Sequence, residues 1–313
     1  MRLNHALISL AIVTAAYLGV LVWIDSANGI FDQLHTLAGA MPALLVLTVA
    51  SWLLRYGRWR WLLRLDGFDS QGWRSLAAYL AGFAFTATPG KVGELVRIRY
   101  FARQGVPACT VISAFVFERL LDLVAVLMLA ALGWGWFGGI YTTLVVFVCT
   151  VAAGVLACAF YPGVLHALQT RLQQRRWRRI ANGVAIAADG MRGLRSWLTL
   201  PRMTIALLWG LAAWSVTAAA FCWLLAELDM TLPWQPSLAT YPAGMLAGAA
   251  SMLPGGLGST EAAIVMLLTA QGASLALASL AAVGIRLATL WFAIFVGVGA
   301  VISIELSDRA VYR

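Results

Sequence analysis

An apolar run, Leu76 to Phe85, leads into TATPGKVGELVRIRYFAR (Thr86 to Arg103), where Pro89 and Gly90 stop the helix that the run begins. Proline has no N–H to donate, and glycine releases the backbone from helical geometry. The chain leaves the break through a segment carrying Lys91, Glu94, Arg97, Arg99 and Arg103, with Gly93 between them. At membrane depth such a break is tolerated only where protein or a wet cavity covers the freed backbone groups. Broken apolar helices with charge at the break are also how transporters build substrate sites. A second stretch, SMLPGGLGSTE (Ser251 to Glu261), has the same make-up: Pro254, Gly255, Gly256 and Gly258 precede Glu261.

The surroundings of both breaks are lipid-like. The chain is 62% hydrophobic and only 11% charged, where a soluble domain is nearer a quarter charged. An integral membrane protein is expected, all-α, as a single domain over residues 1–313. Cys109, Cys149, Cys158 and Cys222 lie in apolar runs without a CxxC pair, and His5, His35 and His166 stand apart. Neither a metal site nor a His-based triad follows, and no cofactor is expected. The absence of a Walker A loop and of GxGxxG argues against ATP-driven transport by this chain alone. The net charge of +9 sits beside apolar spans, which reads as a cytoplasmic membrane face rather than a nucleic-acid surface.

Six spans are expected, at about 6–24, 40–54, 110–132, 140–160, 204–226 and 276–304, with two broken re-entrant hairpins at about 76–103 and 238–272. The second span runs into RYGRWRWLLRLDGF, whose alternating arginines and tryptophans read as a cytoplasmic interfacial helix. The arginines of the basic segment 163–202 read as headgroup anchors. Of 22 Lys and Arg residues, 20 fall in segments assigned to the cytoplasm: one in the N-terminal tail, five in 55–74, four in 91–103, eight in 171–202 and two in the C-terminal tail. Arg119 and Arg286 lie inside spans. This distribution places both termini in the cytoplasm.

The two halves resemble each other. With Gly105 set against Gly272, Arg119 falls opposite Arg286, Leu120 opposite Leu287 and Leu123 opposite Leu290. Pro89-Gly90 meets Pro254-Gly255 after a two-residue slip. Residues 1–134 and 135–305 each read span, span, broken hairpin, span. Three spans separate the hairpins, so the two enter from opposite faces, as in an inverted-topology repeat with its binding site at the repeat interface.

Ionisable residues inside spans cost about 2.5–3.5 kcal/mol each on insertion scales and mark functional sites with partners. Glu118 and Asp122 are four apart and share a helix face. The substrate-binding set is therefore Lys91, Glu94, Arg97, Glu118, Arg119, Asp122, Glu261 and Arg286. Arg119 and Arg286, one from each half, would meet a phosphate midway across the membrane, for which the arginine fork is well shaped. The carboxylates would balance them or carry a coupling proton. The same residues also fit an ion-pair network that only holds the halves together.

The segments ATPGKVGELVR, FERLLDLVAVL and LPGGLGSTEAAIVMLL, with the later Arg286, resemble the lysylphosphatidylglycerol synthase transmembrane-region family, also called the flippase-like domain family. The resemblance covers roughly residues 5 to 305. In that family the domain forms the N-terminal half of the bacterial multiple peptide resistance factor, associated with moving aminoacylated phospholipid between leaflets. Other relatives are linked to lipid-linked sugars, archaeal glycosylation and hopanoids. The 313 residues contain nothing like the soluble aminoacyltransferase half, so a stand-alone member without synthase activity is expected. What the resemblance implies is lipid translocation, carried on Pro89, Gly90, Gly93, Glu94, Glu118, Arg119, Pro254, Gly255, Gly258, Glu261 and Arg286. The leading expectation is a flippase for an anionic phospholipid or aminoacyl-phospholipid, with membrane lipid as partner and self-association left open. A carrier of polyprenyl phosphate or a polyprenyl-linked sugar is the alternative. A lipid-modifying enzyme lacks an evident nucleophile and base, and a non-transporting scaffold would tolerate neutral substitution of the charges.

Overall fold

The computed structural model describes residues 34–161, 163–174 and 177–311. The expected first span at 6–24 lies outside them. Among the described residues the chain is helical throughout, with no strand. Helix α1 (Leu34–Leu65) is followed by the first broken hairpin: α2 (Gly72–Ala81), 3-10 stretches at Gly82–Phe85 and Pro89–Val96, and α3 (Arg97–Ala102). Then come α4 (Ala108–Ala130), the single turn α5 (Trp134–Phe137), α6 (Gly139–Phe160), α7 (Gly163–Gln174), α8 (Arg178–Trp197) and α9 (Leu200–Glu227). The second hairpin pairs α10 (Trp234–Ala250) with α11 (Ser259–Ala270) across a turn at Pro254–Gly256. Helix α12 (Leu275–Arg286) continues through a π-helical turn, Leu287–Trp291, into α13 (Phe292–Val311).

Four helices among the described residues are long and apolar enough to cross a membrane: Leu37–Leu65, Gly139–Phe160, Leu200–Glu227 and Leu275–Asp308. Helix α4 has a spanning length of 23 residues but carries Glu118, Arg119 and Asp122. The chain is a multi-pass membrane protein.

One expectation fails at α1. The arginine-tryptophan stretch is no separate interfacial helix; α1 runs unbroken from Leu34 to Leu65. Burial and charge pairing explain the difference, because Arg55 and Arg58 turn inward onto carboxylates of α4 and have no need of the membrane surface. Trp59 is fully buried, as is Trp197 of α8, so these two rings are core rather than belt. The basic segment is likewise more than a headgroup anchor. Helix α8 packs along α4, where Ser113 donates to the Gly190 carbonyl (2.7 Å), and Trp197 Nε1 donates to Asp66 (3.0 Å). Arg195 donates to the Ala159 and Phe160 carbonyls and caps the end of α6.

Two apolar cores form, one at each end of the bundle. The first gathers Leu37 to Leu44 of α1, Ala125 to Ala130 of α4, the start of α6, the second half of α9, and the helices α10, α11 and α12. The second gathers Trp59 to Leu63 of α1, Val111 to Leu121 of α4, the first hairpin, the end of α8, and α13. The hairpins thus belong to opposite cores. Lipid supplies no hydrophobic drive between helices, so close contact and interhelical hydrogen bonds must hold them. Between the cores, Ser51 of α1 donates to the Ala213 carbonyl of α9 (2.9 Å) and accepts from Thr217 (3.0 Å).

The halves share local geometry. After α3, Gln104, Gly105 and Val106 donate to the Phe101, Ala102 and Phe101 carbonyls; after α11, Gln271, Gly272 and Ala273 donate to Leu268, Thr269 and Leu268. Gly105 and Gly272 both take positive φ, 79° and 98°, and the next helix starts three residues later in each case. This Schellman-type turn is the same at corresponding positions, and the matched Gln104 and Gln271 extend the alignment drawn from the sequence.

A charged layer between the two hairpin tips

The layer between the cores is where the ionisable residues collect. Asp122 receives three guanidiniums: Arg58 Nη2 at 2.8 Å, Arg119 Nη2 at 3.1 Å and Arg55 Nη1 at 3.4 Å. Arg58 also reaches Glu118 at 3.1 Å, and both side chains are almost wholly buried. A buried charge is tolerable only when paired and hydrogen-bonded, and each charge of this cluster has an ion-pair partner on α1 or α4. Gly210 of α9 makes room for it, since a Cβ there would stand 2.8 Å from Arg58 Nη1. Arg55 lies over the Trp214 ring, 4.3 Å from its centroid.

At the first tip, Glu94 accepts from Thr86 Oγ1 (2.9 Å) and pairs with Arg97 (3.2 Å). Arg97 donates to the Tyr79 carbonyl and is walled in by Tyr79, Trp59 and Phe83. At the second tip, Arg286 pairs with Glu261 (2.8 Å) and donates to the Gly255 carbonyl (2.6 Å). The aligned arginines therefore differ in partner: Arg286 holds its own hairpin, while Arg119 faces the α1–α4 cluster.

The two Pro-Gly turns touch. A Cβ on Gly255 would sit 3.3 Å from Ala87 Cα. Their backbones match as well: Gly90 and Lys91 take φ of 59° and 57°, and Gly255 and Gly256 take 62° and 65°. Left-handed backbone is routine for glycine and costs other residues about 1–2 kcal/mol, so Lys91 holds a conformation that its counterpart avoids by being glycine. Gly93 packs against Phe85, and Gly258 (φ 79°) turns the chain into α11.

A cavity of about 90 Å³ lies between the tips. Arg55, Lys91, Glu94, Arg119, Gly255 and Arg286 line it, together with hydroxyls of α1, α9 and α10. A larger cleft of about 370 Å³ adjoins it, sharing Lys91, Arg119, Trp214, Met245 and Gly255 and otherwise walled mainly by apolar groups such as Leu123, Val126, Phe147 and Leu253. Comparison with known families decides what kind of protein holds this arrangement. The profile described as Lysylphosphatidylglycerol synthase TM region matches residues 6–297. The chain belongs to that family. No curated protein and no solved structure matches it.

For this family member, the structure brings five of the eight sequence-predicted site residues to the two cavities: Lys91, Glu94, Arg119, Asp122 and Arg286. Arg97, Glu118 and Glu261 stand behind them as partners, lining neither cavity. Two residues were missed. Arg55 and Arg58 counted as cytoplasmic charges, as did Arg97, yet all three are buried. The signal that would have found the pair was their three-residue spacing, which puts both on one helix face opposite the Glu118–Asp122 face.

Proposed function

We propose that this protein moves an anionic lipid with a phosphate-bearing headgroup between leaflets of its membrane, without chemical change to the lipid. On this reading the hairpins are re-entrant from opposite faces, the two halves form an inverted repeat, and the polar cavity between their tips takes the headgroup. The acyl or prenyl tails follow the apolar cleft. The observation that carries the reading is the adjacency of the two spaces: a cavity of about 90 Å³ lined by four cations opens beside an apolar cleft four times larger. Family membership supports a lipid-related role in the membrane. An arginine keeps its charge under all conditions and presents a fork that fits a phosphate, which is why Arg119 and Arg286 rank above Lys91 as headgroup anchors.

The test is transbilayer movement of fluorescent anionic phospholipids in proteoliposomes. Wild-type protein accelerates movement over protein-free vesicles, and the double variant Arg119→Ala/Arg286→Ala returns it to background while remaining folded by circular dichroism. Undiminished movement by that folded double variant would sink the reading.

A further inference from the structure

The layer is not electrically balanced. Its cations are Arg55, Arg58, Lys91, Arg97, Arg119 and Arg286; its carboxylates are Glu94, Glu118, Asp122 and Glu261. Six against four leaves two positive charges without a protein counter-ion, in a region where an unpaired charge is costly. Lys91 shows where one of them sits. It lines both cavities, and among the described residues no carboxylate oxygen comes within 4.0 Å of its Nζ. It is held there by left-handed backbone that the matching loop gives to Gly256, and strain of this kind persists where the surrounding structure enforces it for a purpose. Arg119 supplies the other spare capacity, for its Nε is buried without a partner. The cavity's about 90 Å³ admits a few waters, which is on the scale of the oxygens of one phosphate.

We infer that the cavity between the hairpin tips selects a lipid phosphomonoester, whose terminal phosphate carries up to two negative charges, over phosphodiester lipids and over cationic aminoacylated ones. The inference rests on the transport reading of the same cavity and names its substrate class. A phosphomonoester supplies the two missing negative charges in three oxygens. A phosphodiester supplies one charge and adds a headgroup. A lysylated headgroup would bring further positive charge into a layer that already has a surplus.

The experiment uses the full chain in detergent and a matched lipid pair, phosphatidate and phosphatidylmethanol, which share their chains and differ by one methyl ester and one charge. Lysyl-phosphatidylglycerol and inorganic phosphate are the other arms. Binding is read by native mass spectrometry and by thermal unfolding against lipid concentration. Phosphatidate should bind at least tenfold tighter than phosphatidylmethanol, and lysyl-phosphatidylglycerol weaker than either. Inorganic phosphate should bind far more weakly than phosphatidate, because it gains nothing from the apolar cleft. Lys91→Met should erase most of the preference while leaving the lipid-free protein folded; should that variant fail to fold, the wild-type pair alone decides. Equal affinity within the pair overturns the inference, as does preference for the lysylated lipid. Inorganic phosphate binding as tightly as phosphatidate also overturns it, by marking a soluble-anion site. Transbilayer movement is scored separately. Movement without preference refutes only the substrate class, and preference without movement refutes the transport reading.

Discussion

Arg58 offers the sharpest test of how the charged layer is held. Its side chain is almost wholly buried and splits its donors between Glu118 at 3.1 Å and Asp122 at 2.8 Å. Arg58→Met keeps the length and removes the charge. Asp122 would keep Arg55 and Arg119 as partners, but Glu118 would lose the one ion-pair partner it has among the described residues. Breaking a buried pair by removing one member costs about 3–5 kcal/mol, because the other is left uncompensated. The double variant Arg58→Met/Glu118→Gln removes that orphaned charge and should recover more than half of the loss. Equilibrium unfolding in mixed micelles under increasing SDS would give the three stabilities, with Glu118→Gln alone completing the cycle. The coupling between the two positions should reach about 2 kcal/mol, within the usual range for contacting residues. A single variant as stable as wild type, or a double variant no better than the single, would refute the pairing argument.

Other perturbations follow from the same geometry. Lys91→Gly removes the left-handed strain at φ 57° and should raise stability by about 1 kcal/mol while lowering lipid movement, a combination seen by unfolding and flux measured together. Gly255→Val places a branched side chain at φ 62° against Ala87 and Leu290; it should cost about 1–3 kcal/mol and speed hydrogen exchange at both hairpin tips. Arg99→Ala removes an exposed pair with Glu305, and exposed pairs contribute about 0–1 kcal/mol, so unfolding should barely move. Outside the spans, hydrogen bonds from Arg64 and Gln71 hold the Asp69 carboxyl below the usual carboxylate range. A depressed carboxyl stabilises above its unfolded value of about 3.9 and loses that contribution as pH falls through the lower folded value. Exchange protection of the α1–α2 loop should therefore stay flat from pH 7 to 5 and drop only below that.

The turns, the mid-span charges and most helix bounds were legible because each is written in local chemistry. Pro89-Gly90 and Pro254-Gly255 announce breaks, and Arg119 in an apolar run announces a partner. Gly105 and Gly272, paired in the alignment, sit in turns with matching hydrogen bonds, although no turn was expected there. The fate of Arg55 and Arg58 was not legible in this way. An arginine near tryptophans at the end of an apolar run looks the same whether it meets headgroups or a carboxylate 60 residues later in the chain. Which way it turns is decided by the packing of α1 against α4 and α9, and by the space that Gly210 leaves. Nor could the sequence distinguish Arg97 among Tyr79, Trp59 and Phe83 from a headgroup contact, because that aromatic enclosure is assembled from α1, α2 and the 3-10 stretch Gly82–Phe85.

The pairing of Arg58 with Glu118 and Asp122 has a consequence for how the protein is made. Arg58 is synthesised 60 residues before Glu118 and 64 before Asp122. At about 5–20 residues per second, α1 waits on the order of 3–12 seconds for a counter-charge. During that interval a helix carrying four arginines in its second half, Arg55, Arg58, Arg60 and Arg64, has no stable place in hydrocarbon. Insertion machinery or a shallow position must shelter it until α4 emerges, so α1 and α4 should leave the translocon together.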